Sequence, residues 1–519
     1  MTLATSTGER LSPWWPLLLG LSWIVFGAFY LTLPPSPDQF ELDYMGWQML
    51  EGAVPYRDFI DMNWPGVIWN HALSTALFGN HLWSWRALDF IAVALSAFFL
   101  QDLLKRTAGK TAAALSLVLY PLFYTSLPQW FSGQPDMTAG QLLLVALWFH
   151  VRAYETRVCR WQIGTGILIA AAMLNKPTVG VLGLLLPVQA LLLRVPLRRV
   201  VLQTAVAAST AMGCLLLALL ALLAQGATVR EVIEALYTYN AWTQFLEAAS
   251  PGELARQWLA VHVAWWHYLS ILAVVGGGLL LWRSPRRIAA TALPILWLGG
   301  LLSFLAQHRG FAYHLGPCFI PIIGLAAAAL GLCWDAGRAR GPRSWATALA
   351  VFLLLVVGAG GVRKLYDNYG SLPVAFLQGD YSLHLAKFTE GDGLTVADAV
   401  ALTEQIERAV PAGETVLVFG TASSMNFLSR RPQPTRFFYA PVLINAHPPL
   451  PMADRWIDLF ESDLQRARSR WCLISTTVRK SWLEGGSRGA QALRDFLAAH
   501  YRRIGFIGSK EGLEIYERL

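Results

Sequence analysis

The chain has 519 residues, of which 55% are hydrophobic and only 14% charged, with a mean hydropathy of +0.43. An average soluble domain carries about 25% charged residues, so a soluble globular enzyme is excluded. The net charge of +8 is no argument for a nucleic-acid partner, because in a membrane protein Lys and Arg chiefly mark the loops that stay in the cytoplasm.

Apolar runs of membrane-spanning character occur at residues 14–33, 86–104, 111–128, 137–151, 162–175, 177–193, 200–224, 262–282, 288–306, 315–334 and 344–361. They predict about eleven transmembrane helices, the shorter ones packed as thin or re-entrant segments. The first run ends in Pro34-Pro35-Ser36-Pro37 without a small-residue cleavage site, so it reads as an uncleaved anchor. With Arg10 placed inside, alternation puts 16 Lys and Arg residues on the cytoplasmic side, including Lys105, Arg106, Lys110, Arg283 and Arg343. Only Arg57, Arg86, Lys176, Arg230, Arg256 and Arg309 fall on the other side before residue 362. The positive-inside rule then sets the N-terminus in the cytoplasm and the polar tail outside it. A bacterial-type inner membrane is the expected location.

Residues 362–519 hold 36 of the charged side chains and are expected to form a soluble extracytoplasmic α/β domain after a membrane domain spanning 1–361. A helical pattern near 395–410, apolar strand-like runs at Thr415–Gly420 and Trp471–Ser475, and a final pair around 501–517 carry that reading. Gly420-Thr421-Ala422-Ser423 lacks the further glycines of a dinucleotide-binding turn, and no chemistry is assigned to the tail. Of the five cysteines, Cys159, Cys214, Cys318 and Cys333 lie in or beside apolar runs and Cys472 stands alone in the tail. Neither a disulfide framework nor a zinc site can be built from that spacing.

The polar residues of the apolar part concentrate on the side opposite the cytoplasm. The first loop there, residues 34–85, carries Asp38, Glu41, Asp43, Glu51, Asp58 and Asp61 among Trp47, Trp64, Trp69, Trp83 and Trp85. The tryptophans fit an interfacial belt, whereas acids within a helical apolar pattern point into a cavity. Asp136 opens the fourth span, either as a helix-start acid or as a functional carboxylate. Lys176, in Asn175-Lys176-Pro177, either snorkels to headgroups or holds a phosphate. The run Gln307-His308-Arg309-Gly310-Phe311-Ala312-Tyr313-His314 gathers cationic and hydrogen-bonding groups, with Arg309 suited to paired phosphate oxygens. Acids and cations on one membrane face suit a substrate with a phosphate headgroup, a lipid tail and a hydroxyl acceptor that needs a base.

Asp38, Tyr44-Met45-Gly46-Trp47-Gln48-Met49-Leu50-Glu51-Gly52 and Pro55-Tyr56-Arg57-Asp58-Phe59-Ile60-Asp61-Met62-Asn63-Trp64-Pro65-Gly66 together resemble the first-loop signature of the GT-C glycosyltransferases that use polyprenyl-phosphate sugars. The resemblance is to family 39, the branch of protein O-mannosyltransferases and lipid A aminoarabinose transferases. It extends to Pro135-Asp136, to the Lys176-Pro177 turn, and to Tyr313, His314 and Pro317, covering most of residues 14–334. One departure stands out: relatives commonly show Asp-Glu where this chain has Asp38-Gln39.

The resemblance implies a GT-C membrane fold and an inverting transferase in which Asp38 is the general base. Lys176, Arg309, His308 and His314 would meet the phosphate, with Tyr313, Arg57, Asp61 and Asp136 completing the substrate site. The donor would be a polyprenyl-phosphate sugar and the acceptor a hydroxyl on a glycan, lipid or protein. No cofactor is required by the pattern; a divalent metal is left open, with Asp38, Asp136 and Asp61 as its candidate ligands. Two other readings stand beside this one: a transporter or flippase of a lipid-linked substrate, and a non-catalytic envelope-assembly protein.

Overall fold

The computed structural model describes residues 15–341, 344–483, 486–508 and 510–519. Arg10 and Arg343, on which the cytoplasmic assignment partly rests, lie outside the described residues. Every apolar run becomes helical: α1 (Trp15–Thr32), α4 (Ser84–Thr107), α5 (Lys110–Thr125), α6 (Pro135–Thr156), α7 (Trp161–Asn175), α8 (Val181–Leu192), α9 (Leu197–Gln225), α13 (His267–Arg283), α14 (Arg287–Gln307), α15 (Gly316–Arg340) and α16 (Trp345–Tyr369). By length and composition, five of the described helices can cross a membrane singly, or seven counting two sharply bent pairs; α7 and α8 are shorter. This is a multi-pass membrane protein. Within the segment from 312 to 340 an 18-residue window is 94% buried, along the axis of the bundle, whereas α9 and α16 are largely exposed on the periphery, as lipid-facing helices should be.

The segment 34–85 is not an open loop. It folds into α2 (Pro37–Leu50) and α3 (Pro65–Phe78), because its apolar residues recur with helical period and each helix opens on a proline. α2 leaves α1 at 88°, and so lies across the end of the bundle. Short helices α10 (Val229–Ile233), α11 (Asn240–Leu246) and α12 (Pro251–Ala260) lie between α9 and α13. Gly46 shows why the first-loop pattern needs a glycine there: a Cβ would sit 2.5 Å from the backbone of His71 and Ala72 in α3. Gly66 is similar, since a Cβ would meet the Leu174 carbonyl at 2.7 Å and push α3 off the end of α7.

The 88° turn at Leu33-Pro34-Pro35-Ser36 frees backbone carbonyls in an apolar setting, where each unpaired group is costly. Arg86 collects them. Fully buried in α4, its guanidinium donates to Leu33 O (3.1 Å), Pro34 O (2.7 Å) and Ser132 O (2.8 Å). It also donates to the Tyr30 hydroxyl (3.2 Å), which in turn donates to Asp89. Tyr124 and Gln141 donate to the same carboxylate.

After α16 the chain forms a four-stranded sheet and a small hairpin. The sheet order is β3 (Leu417–Phe419), β4 (Trp471–Ser475), β6 (Gly512–Arg518), β5 (Tyr501–Gly508). β3 and β4 are parallel, with Val418 opposite Leu473, and β6 is antiparallel to both its neighbours. β1 (Thr389–Gly391) and β2 (Leu394–Thr395) make the hairpin. The expected helix near 395–410 is Val396–Ala409, started by a Thr395 cap. The loop after β3 cannot cradle a phosphate: the backbone N–H groups of Thr421 and Ala422 donate to Asp392, and that of Ser424 to Glu390.

Arg86→Met should cost about 3–5 kcal/mol, the range for breaking one member of a buried charged network. A fall in the thermal unfolding midpoint of detergent-solubilised protein checks this; an unchanged midpoint would mean the carbonyls find other partners.

Candidate functional site

A cavity of about 870 Å³ lies where α2, the end of α7, α9, the end of α14 and the C-terminal sheet region meet. Asp38, Asp136, Lys176, Arg309, Tyr313 and His314 all border it, so residues far apart in sequence converge, as the one-face pattern predicted. Arg57 and His308 do not border it. Arg57 pairs with neighbouring Asp58 (2.7 Å) at the surface, and His308 is exposed where it ends α14 in a left-handed conformation. Asp61 lies buried beside the cavity, where Oδ1 accepts from the Asn63 backbone (2.6 Å) and side-chain amide (2.8 Å).

Each element presents its side chain for a local reason. Pro177 disfavours helix at the preceding residue, so Lys176 leaves α7 in an extended conformation (φ −149°, ψ 99°) and its ammonium reaches Asp136 at 3.1 Å. Asp136 is fully buried in the first turn of α6 and accepts a second bond from Gln307 of α14 (3.1 Å). Asp136 is thus a helix-start acid in the cavity wall and, in addition, the buried counter-ion of Lys176. Arg309 follows the left-handed His308 and faces Glu247 at 3.4 Å. His314 is buried, and its Nδ1 has no hydrogen-bond partner.

The chemistry of Asp38 follows from its setting. Ser36 N–H donates to Gln39 Oε1 (3.0 Å), and the Gln39 amide donates to Ser132 O. Gln39 is therefore turned into the protein, and a carboxylate there could not make the second bond; this accounts for the departure from Asp-Glu. A further acid of the cavity is Glu41, one turn from Asp38 on the same face of α2 and missed as a site residue in the sequence, where only the i, i+3 spacing could have signalled it. α2 lies outside the spanning helices, and there burial pushes the Asp38 carboxyl up to about 6, opposed by a hydrogen bond from Gln134 and the charge of Lys176 and reinforced by Asp61. Burial likewise pushes Glu41 well above the usual carboxylate range, with the charge of Asp61 and a hydrogen bond to it adding to the effect.

The far wall was not legible. Tyr439, Pro441, Val442 and Asn445, from the loop and short helix after β3, border the same cavity. They are fixed to the membrane half by Tyr239 Oη donating to Pro441 O (3.2 Å) and Trp242 Nε1 donating to Asn445 O (2.8 Å). Among the described residues no three His, Cys, Asp or Glu side chains come together as a metal-binding group. Asp136 is already held by Lys176 and Gln307, so Asp38, Asp61 and Asp136 do not fit as one ligand set.

Residues 63–224 match the family described as dolichyl-phosphate-mannose-protein mannosyltransferase. Across almost its whole length the chain folds like a crystal structure of ArnT from Cupriavidus metallidurans bound to undecaprenyl phosphate, with a TM-score of 0.61, 16% identity and coverage of 97% of this chain and 98% of that one. The apo form of that protein gives a TM-score of 0.52. The fold is that of the GT-C membrane glycosyltransferases, as the first-loop motif implied. In sequence the chain is similar to undecaprenyl phosphate-alpha-4-amino-4-deoxy-L-arabinose arabinosyl transferases. It is 29% identical over 348 residues to the one from Pseudomonas paraeruginosa, covering 61% of this chain, and 25% identical over 353 residues to one from Pseudomonas fluorescens, covering 63%. The chain spans 59% and 61% of the length of these two relatives.

Lys176→Met should destabilise the protein more than Lys176→Met combined with Asp136→Asn, because the single change strands a buried carboxylate. A double-mutant cycle on thermal stability should give a coupling of about 0.5–3 kcal/mol; strict additivity would show that the pair is electrostatically silent.

Proposed function

We propose that this protein is an inverting glycosyltransferase that moves a sugar from a polyprenyl-phosphate donor to a hydroxyl on a lipid, glycan or protein acceptor. The observation that carries the proposal is the polarity of this cavity. Lys176 and Arg309 stand in its wall with carboxylates nearby, and an apolar flank from α9 leads out of it: Met212 and Leu216 border the cavity and are also exposed on the lipid-facing surface of the bundle. A phosphate with a hydrocarbon tail and a hydroxylated head matches those three environments. The names of the relatives make 4-amino-4-deoxy-L-arabinose the first sugar to try and a lipid the first acceptor.

In the reaction, Asp38 takes the proton of the acceptor hydroxyl as its oxygen attacks the anomeric carbon. The bond from that carbon to the phosphate oxygen breaks on the opposite side, so the configuration inverts once and polyprenyl phosphate leaves. Lys176 and Arg309 offset charge building on the leaving oxygen, the electrostatic contribution that usually dominates such steps. His314, with an unpaired ring nitrogen at the same wall, is placed to bond the phosphate. The lysine and arginine distribution supports a bacterial-type inner membrane with the cavity and the C-terminal domain on the extracytoplasmic side, and the N-terminus in the cytoplasm.

Asp38→Asn should lower sugar transfer by about 10²–10⁴-fold, the usual contribution of a general base, while the labelled donor still binds. Transfer of radiolabelled sugar by protein in nanodiscs checks this. A variant that transfers like wild type would remove Asp38 from the chemistry, and movement of an intact lipid-linked sugar without transfer would replace the proposal with a carrier. Because the base must be ionised, kcat/KM should fall about tenfold per pH unit below the Asp38 pKa of about 6 and level off above it; a profile flat through that range would contradict the assignment.

A further inference from the structure

The acidic wall holds more than a base requires. Glu41 borders the cavity one turn along α2 from Asp38 and is backed by the buried carboxylate of Asp61. Across the junction between the membrane and C-terminal halves stands Tyr439, whose ring borders the cavity among Glu41, Asp38, Asp61 and Tyr313. Among the described residues no Lys or Arg forms an ion pair with Glu41, and the Tyr439 hydroxyl makes no hydrogen bond within the chain. Both groups are rigidly held. α2 is fixed by its packing on α3 at Gly46 and by Gln39; the helix Ala440–Ile444 next to Tyr439 is tied to Tyr239 and Trp242.

A fixed phenol with no internal partner, beside a carboxyl that only other acids approach, is arranged for a ligand. Phosphate is the wrong one, since the cations lie elsewhere and the neighbours here are acids. A prenyl tail is excluded by polarity. What remains is a group that both donates and accepts hydrogen bonds, which is what a carboxyl and a phenol together recognise. The geometry points to Glu41 and Tyr439 as a subsite, built across the junction of the two halves, that hydrogen-bonds the hydroxyl or amino substituents of the sugar ring on the lipid-phosphate donor. This rests on the glycosyl-transfer reading and adds to it the positioning residues that select the sugar. The C-terminal half thereby becomes part of the donor site rather than a cover over it.

Binding separates this role from a structural one. The full chain in nanodiscs, as wild type, Glu41→Gln and Tyr439→Phe, would be titrated with undecaprenyl phosphate and with undecaprenyl phosphate carrying 4-amino-4-deoxy-L-arabinose. Each variant should bind the sugar-bearing lipid about tenfold more weakly, the loss expected for one buried hydrogen bond, and bare undecaprenyl phosphate as wild type does. Tyr439→Phe keeps the ring and makes no change to packing, so it tests the hydroxyl even if Glu41→Gln folds poorly. Unchanged affinity for the sugar-bearing lipid, or an equal loss for both lipids, would overturn the subsite. Wild type that binds both lipids equally would overturn the subsite alone, whereas wild type that binds neither would overturn the transfer reading and the subsite with it.

Discussion

A chain that bends by 88° at the edge of an apolar bundle must find partners for the carbonyls it exposes. One guanidinium does most of that here. By holding Leu33, Pro34 and Ser132 together, Arg86 fixes the start of α2 against the segment that precedes α6. Trp85 strengthens the same seam by donating to Gly133 O (2.9 Å), and Gln129 by donating to Pro35 O (2.7 Å). The seam puts Asp38 of α2 beside Gln134, Pro135 and Asp136 in one cavity wall. Gln129 also donates to Thr389 O (3.0 Å), so the C-terminal region is registered on the same seam. The cavity is thus shaped by polar bonds to backbone in a molecule whose composition is overwhelmingly apolar.

How far the sequence disclosed this depends on the range of each interaction. Hydropathy located every long helix, and short continuous apolar runs located β3 and β4, because both signals are local. The convergence of Asp38, Asp136, Lys176 and Arg309 was also legible, through the membrane side to which each loop belongs. Arg86 was misread as a loop charge, since its partners are backbone carbonyls, which leave no mark in a sequence. Arg57 and His308 were drawn into the site by proximity to true lining residues, yet neighbouring positions on a turn point to different sides. Glu41 was overlooked because the acid adjacent to Asp38 seemed the one to look for, whereas on a helix the residue three further on shares its face. Tyr439 could not be foreseen, as nothing local says where a C-terminal domain docks.

The C-terminal sheet shows a different economy. Its first parallel pair and the turn after β3 resemble the geometry in which backbone N–H groups receive an anion, and two carboxylates of the β1–β2 hairpin, Glu390 and Asp392, occupy those groups from within the chain. The turn is rigid without any ligand, and the following segment, residues 437–445, is presented to the membrane half at a fixed angle. Arg436 adds to the docking, pairing with Asp463 (2.9 Å) while donating to Arg57 O (3.2 Å). The sheet acts as a frame for one loop.

Met212 and Leu216 belong at once to the cavity and to the outer surface of α9. A molecule with a hydrocarbon tail can therefore reach the site sideways, without leaving the bilayer for water. Encounter then takes place in two dimensions, and the quantity that governs occupancy is the mole fraction of the lipid in the membrane, not its amount per volume of solution. Diluting vesicles in buffer would leave occupancy unaltered, while diluting the membrane with inert lipid would lower it. A site of modest intrinsic affinity suffices under such confinement, which in turn permits a tailed ligand to diffuse away quickly along the path by which it arrived.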